Sequence, residues 1–138
     1  MTSDEVRAFL SEGTRTGKLG TLTKDGAPHV MPIWFVLDCH DIIFNTGAGS
    51  VKGRHIMGDG RVSLLVDDER PPYAFVHVRG QAVGTDNPPE ALDWATRIGE
   101  RYMGAERAPE FGERNAVRGE LLVRLTPARI IAKTGVAD

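Results

Sequence analysis

Residues 45–55, NTGAGSVKGRH, hold three glycines, a serine and three side chains able to carry positive charge, Lys52, Arg54 and His55. Such a mixture suits the capture of an anionic group, a phosphate above all. The spacing predicts a strand end at Asn45 and Thr46, a glycine bend, and Ser50 as N-cap of a short helix over 51–57. The first amides of such a helix point outward and favour an anion. Lys52 and Arg54 stand in its first turn, where the macrodipole disfavours each cation by roughly 0.3–1 kcal/mol. A bound phosphate would reverse that sign. The opposing reading is a solvated turn whose basic residues face water, and the residues alone leave both open. Two nucleotide motifs are excluded. No Gly-Lys-Ser/Thr follows at P-loop spacing, and Gly47, Gly49 and Gly53 read G-x-G-x-x-x-G, unlike a dinucleotide fingerprint.

The remaining reactive side chains form no constellation. His29, His40, His55 and His77 show neither i, i+4 pairing nor H-E-x-x-H spacing, so no metal site is expected and haem ligation has no support in the pattern. Cys39 is the single cysteine, which excludes an internal disulfide, and it lies in the turn 38–41 with no identifiable base. Asp67, Asp68 and Glu69 precede Arg70 and two prolines, the pattern of a solvated loop more than of an acid–base pair. Nothing resembles a nucleophile elbow. A bound cofactor then becomes the economical source of any reactivity, with no catalytic side chain assigned.

These residues must be positioned by one domain, 1–138, of ordinary globular composition: 41% hydrophobic and 26% charged. The net charge of −2 gives no global attraction to nucleic acid or to an anionic membrane, so any anion recognition is local. With aromatics at 7%, a stacking groove for single strands ranks last among the possibilities. No run approaches the roughly 18 apolar residues of a membrane span. The opening MTSDEVRAFL is polar and acidic, so a cytoplasmic location is expected.

Thr2 to Glu5 reads as a capping box for a first helix ending near Gly13. A strand KLGTLT, a turn KDG and a long strand PHVMPIWFVL follow. The long strand is apolar on both faces, Met31, Ile33, Phe35 and Leu37 on one, Val30, Pro32, Trp34 and Val36 on the other. It is expected to be covered on both sides. IIFNT, RVSLLVD and YAFVHVRGQAVG are further strands, with Gly80 marking a bend in the last. Pro88 and Pro89 open a helix with a stripe of Leu92, Ala95, Ile98 and Tyr102. Residues 108–117 read as another helix. ELLVRL and ARIIAK are expected as two strands broken by Pro127. Seven strands joined by short turns, with three or four helices, predict a mainly β (α+β) fold with helices at the margins of an antiparallel sheet.

The ordered blocks GTLTKDGAPHVMPIWFVLD, IIFNTGAGSVKGRHI, GDGRVSLLVDD and YAFVHVRGQAV resemble the pyridoxamine 5′-phosphate oxidase-like split β-barrel family. More narrowly, they resemble its actinobacterial branch that binds the deazaflavin coenzyme F420. The likeness covers residues 19–83, with RYMG at 101–104 fitting more loosely. It implies an FMN-binding-type split β-barrel, homodimeric, with the cofactor between the barrels. By position, Val30, Met31 and Pro32 would line the ring, with Asn45 and Thr46 beside them. Ser50 and Lys52 would hold the phosphate around Val51, with Arg54 a helper for the phosphate or the acidic tail, and Tyr73 and Ala74 would come from the partner subunit. FMN-binding oxidases of the family usually carry an Arg-Lys pair after the serine and an arginine early in the second strand. Val51-Lys52 and His29 stand there instead. The resemblance therefore implies an F420-dependent oxidoreductase acting on a small electron-poor substrate, with FMN as the alternative cofactor. A non-catalytic carrier of flavin, deazaflavin or haem is the competing class.

Overall fold

The structure is a computed structural model, and it describes residues 1–117 and 119–138. The capping box forms as expected: Glu5 N–H donates to Thr2 Oγ1 (3.2 Å) and Thr2 N–H to Glu5 Oε1 (3.1 Å). Helix α1 (Ser3–Ser11) buries Val6, Phe9 and Leu10 against the sheet. Strands β1 (Gly17–Leu22) and β2 (Pro28–Ile33) make a hairpin, in register from Gly17 opposite Ile33 to Leu22 opposite Pro28.

The expected long strand over 28–37 is two strands. After β2 the chain leaves the ladder at Trp34 and Phe35, and β3 (Val36–Asp38) pairs with β4 (Asp41–Gly47). Helix α2 (Val51–Gly58), β5 (Arg61–Asp68), β6 (Ala74–Thr85), α3 (Pro88–Met103), α4 (Ala108–Asn115) and β7 (Glu120–Lys133) follow. All pairings in the seven-stranded sheet are antiparallel, in the order β2-β1-β5-β6-β7-β4-β3.

That order dictates a barrel. β2 and β3 occupy opposite edges, yet two residues join them, a connection reaching at most about 11 Å between Ile33 and Val36. Seven strands laid flat would put those edges about 29 Å apart. The sheet must curl until they meet, and Phe35, fully buried, plugs the seam. Leu19, Leu64, Val66, Val76, Val78, Val123 and Leu125 fill the interior, each at most 1% exposed. The break also corrects the expectation of a doubly covered strand: Val30 is 64% and Met31 43% exposed.

ELLVRL and ARIIAK prove to be one strand, β7. Its pairing with β4 ends at Leu125, so Pro127 lies beyond the ladder that would need its missing N–H. The register against β6 slips there, Gly80 facing Pro127 and Arg79 facing Arg129. A Cβ on Gly80 would sit 2.1 Å from Thr126 O, so the bend read at this glycine is a bulge at which two backbones touch. In α3 the buried face is Ala91, Ala95, Ile98 and Gly99, while Leu92 is 43% exposed. Ala91 covers Ile43 and Leu122 on the outer side of the sheet, which accounts for a β4 apolar on both faces.

Candidate functional site

The turn from β4 into α2 is built by Ser50. Its hydroxyl accepts from Gly53 N–H (3.0 Å), donates to Gly47 O (2.7 Å) and meets Thr46 Oγ1 at 2.9 Å. A hydroxyl has one donor and two acceptor sites, so this one is fully engaged in holding the helix start. Thr46, only 4% exposed, braces it from β4. Gly53 is required by contact: a Cβ there would fall 2.1 Å from Gly47 O.

Lys52 leaves this turn into a cleft of about 380 Å³. One wall is the seam, Pro32, Ile33 and Trp34, with Thr16 beside it. Asn45 contributes from β4, Ile98 from α3, Asn115 from α4 and Glu120 from β7. Asn45 Nδ2 is buried with no hydrogen-bond partner among the described residues. An unpaired buried amide costs on the order of 1–3 kcal/mol, and Asn45 is one of the residues that line the cleft. Burial pushes the Glu120 carboxyl above its ordinary range, and Lys52 pulls in the opposite direction.

The seam wall is fixed by the end of α3. Arg101 donates to Phe35 O (2.7 Å), Leu10 O (2.7 Å) and Gly13 O (3.0 Å), and its guanidinium lies 4.7 Å from the Phe35 ring centroid. Tyr102 OH donates to Arg15 O (2.8 Å) and accepts from Phe35 N–H (3.3 Å). The Tyr102 ring stacks on Trp34, centroids 5.0 Å apart and nearly parallel. Burial raises the Tyr102 hydroxyl above its usual range, keeping it a donor. Thus RYMG, read only as a helix end, is the clamp that holds one side of the cleft.

The predicted site residues divide among several places. Pro32, Asn45 and Lys52 come together in the cleft. Arg54 does not join them. Two positions on from Lys52, it turns to a separate groove of about 570 Å³ with Lys24, His55 and Asp59. Beside that groove His55 Nδ1 shares a hydrogen bond with Thr21 Oγ1 (2.8 Å), and His29, whose Nδ1 is buried without a partner, packs edge-on against it. Val30, Met31 and Val51 are exposed, Val51 at 42%. Tyr73 and Ala74 line grooves at the start of β6 that share no lining residue with the Lys52 cleft. Tyr73 holds a left-handed backbone (φ 70°), pinned by Tyr73 N–H to Arg70 O and Val136 N–H to Tyr73 O. Sequence reasoning passed over Glu120, Trp34 and Asn115. A single glutamate opening an apolar strand gives no pattern to find. No group of three or more potential metal ligands occurs among the described residues, and none of their helices is long and apolar enough to cross a membrane.

A family model described as pyridoxamine 5′-phosphate oxidase matches residues 2–133. The chain belongs to the pyridoxamine 5′-phosphate oxidase family. Within this oxidase-like family, which has flavin-binding members, the sheet, four helices and barrel closure are the shared architecture. The conserved hypothetical protein Rv2991 from Mycobacterium tuberculosis is similar over 98% of this chain and 86% of its own, at 28% identity and a TM-score of 0.86. An F420 reductase is similar over 90% of this chain and 94% of its own, at 24% identity and a TM-score of 0.73. HutZ, the heme storage protein from Vibrio cholerae, covers 98% of this chain and 97% of its own, at 17% identity and a TM-score of 0.75. The last two likenesses speak for the fold alone. No curated protein sequence matches the chain.

Proposed function

We propose that this family member is an F420-dependent oxidoreductase that works as a homodimer on a small electron-poor organic substrate, with FMN as the alternative cofactor. The observation that carries the reading is the cleft lined by both Lys52 and Asn45, whose buried amide nitrogen has no partner among the described residues. Lys52 would pair with the cofactor phosphate, and Asn45 would donate to a ligand acceptor. Pro32, Ile33 and Trp34 supply an apolar wall, and the Arg101–Tyr102 clamp keeps that wall in place. Ser50 and Thr46 act through the helix start they hold, and Val51 leaves the phosphate with one cation fewer than an Arg-Lys pair would give. Arg54 in its own groove is available to a more distant acidic part of the cofactor. When bound, a deazaflavin supplies hydride transfer from its ring; the protein's part is to orient ring and substrate and exclude water.

Val30 and Met31 would line the ring beside Pro32, and Tyr73 and Ala74 would come from a second subunit. The sheet face opposite the core supports this. Leu65, 39% exposed between the buried Leu64 and Val66, continues across the ladder to His77 and Ile131, with Tyr73 (44% exposed) at one end. Among the described residues Leu65 keeps that exposure, which a second copy would cover.

The test is absorption of the protein mixed separately with F420 and with FMN, followed through size exclusion. Co-elution of F420 at the mass of a dimer is expected; co-elution of FMN alone, or of neither, would sink the reading. Lys52→Ala should weaken binding by about 1.5–3 kcal/mol, a charge-assisted contact. Consumption of reduced F420 on a panel of enones separates enzyme from carrier: tight binding without turnover would identify a carrier.

A further inference from the structure

Glu120 opens β7 in register with Gly47, the residue from which the Ser50 turn departs. Its Oε1 lies 3.8 Å from where a Gly47 Cβ would stand, so the carboxylate leans over the strand end that a side chain would occupy. It shares the cleft with Lys52 and Asn45, yet makes no hydrogen bond or ion pair with any described side chain. The described residues that line the cleft with it include Lys52 from α2, Asn45 from β4, Asn115 from α4, Ile98 from α3 and Thr16 ahead of β1. Among the described lining residues, Lys52 is the single cation and Glu120 the single anion, so their formal charges cancel.

A cleft of this kind treats the first and second charges of a phosphate differently. The first is offset by Lys52 and by the amides of the α2 start. A second gains no further cation among the described lining residues, yet meets the Glu120 carboxylate and still loses its hydration. A phosphomonoester carries about −1.5 to −2 at neutral pH, and a phosphodiester carries only one charge. We propose that Glu120 is a specificity-determining residue that selects a cofactor whose phosphate is a singly charged diester over one ending in a doubly charged monoester. The inference rests on the reading that the Lys52 cleft holds the cofactor phosphate. It deepens that reading, because F420 carries its phosphate as a diester and FMN ends in a monoester.

The probes are FMN and its methyl phosphodiester, which share ring and ribityl chain and differ in phosphate charge. Their binding to the full chain and to Glu120→Gln is followed by flavin fluorescence at about pH 5.5 and about pH 8, on either side of the monoester's second pKa near 6. At the higher pH the wild-type chain should favour the diester by about tenfold, the scale of one unfavourable charge contact. That preference should shrink to about threefold or less at the lower pH, and likewise in Glu120→Gln. FMN bound as tightly as the diester by wild type at high pH overturns the inference, as does a preference that survives in Glu120→Gln. Should Glu120→Gln fail to fold, Glu120→Ala takes its place in the same comparison, read the same way. Binding without charge preference removes this inference and leaves the cofactor site standing; failure of both flavins and F420 to bind at either pH removes both.

Discussion

Gly53→Ala sets two effects of opposite sign against each other. In an exposed helix the substitution would stabilise by about 1 kcal/mol, because alanine loses less backbone freedom than glycine. Here the new Cβ would lie 2.1 Å from Gly47 O, more than about 1 Å inside an ordinary carbon–oxygen contact. That carbonyl already accepts from Ser50 N–H (3.0 Å) and Ser50 Oγ (2.7 Å), so the backbone cannot swing away without undoing the turn. Strain of about 1–3 kcal/mol is expected from a misplaced methyl in a packed site. Loss of the Ser50 cap adds about 1 kcal/mol. After the helix gain is subtracted, the net cost is about 1–3 kcal/mol. Urea denaturation measures it directly, with Gly58→Ala as the control. Gly58 ends the same helix with nothing within 4 Å of its Cβ position, and alanine there should be neutral or more stable by up to about 1 kcal/mol. Because Lys52 rides on the strained turn, Gly53→Ala should also bind the cofactor more weakly under conditions where it is folded. A Gly53→Ala chain as stable as wild type would refute the close packing of α2 on the β4 exit.

Tyr102→Phe keeps the stack on Trp34 but removes the bonds to Arg15 O and Phe35 N–H; a loss of about 1–3 kcal/mol in denaturation is expected, with altered tryptophan emission. Leu65→Asp should leave the monomer folded and abolish the proposed dimer in light scattering, together with cofactor binding; a dimer retained in the variant would place the subunit contact elsewhere. For Glu120 the folded-state carboxyl is raised by burial, so the folded chain holds its proton to higher pH than the unfolded chain. Wild-type stability therefore falls, relative to Glu120→Gln, as pH rises from the ordinary carboxylate range through the folded value. The two denaturation curves should coincide in acid and separate near neutrality with the glutamine form more stable.

Local chemistry was legible in the sequence. The Thr2 capping box, the Ser50 cap and the α2 start follow from side chains that satisfy amides within three residues, and such signals need no knowledge of the fold. The seam at Trp34 and Phe35 was not legible, because β2 and β3 together make an unbroken apolar run and only sheet order separates them. Arg54, read as a helper for the phosphate or the acidic tail, lies two positions from Lys52 on α2 and lines another groove, a separation the helix period already contained. Pro127 suggested a break where the neighbouring strand had simply ended. Glu120 acquires its place from Gly47 on another strand and from the α3–α4 pair above it, contacts distant in sequence.

Strand order also has a consequence in time. Before β7 forms, hydrogen bonding makes two separate pieces, the four-stranded β2-β1-β5-β6 and the hairpin β3-β4, linked through Trp34 and Phe35. β7 alone joins their ladders, pairing with β4 over residues 120–125 and with β6 over most of its length. During synthesis the edges of β4 and β6 therefore emerge unpaired and stay so until this final strand follows, a slow closure built from contacts remote in sequence. Exposed edges of that kind invite pairing between chains. The nascent chain is thus most prone to associate wrongly in the interval before residues 120–133 arrive.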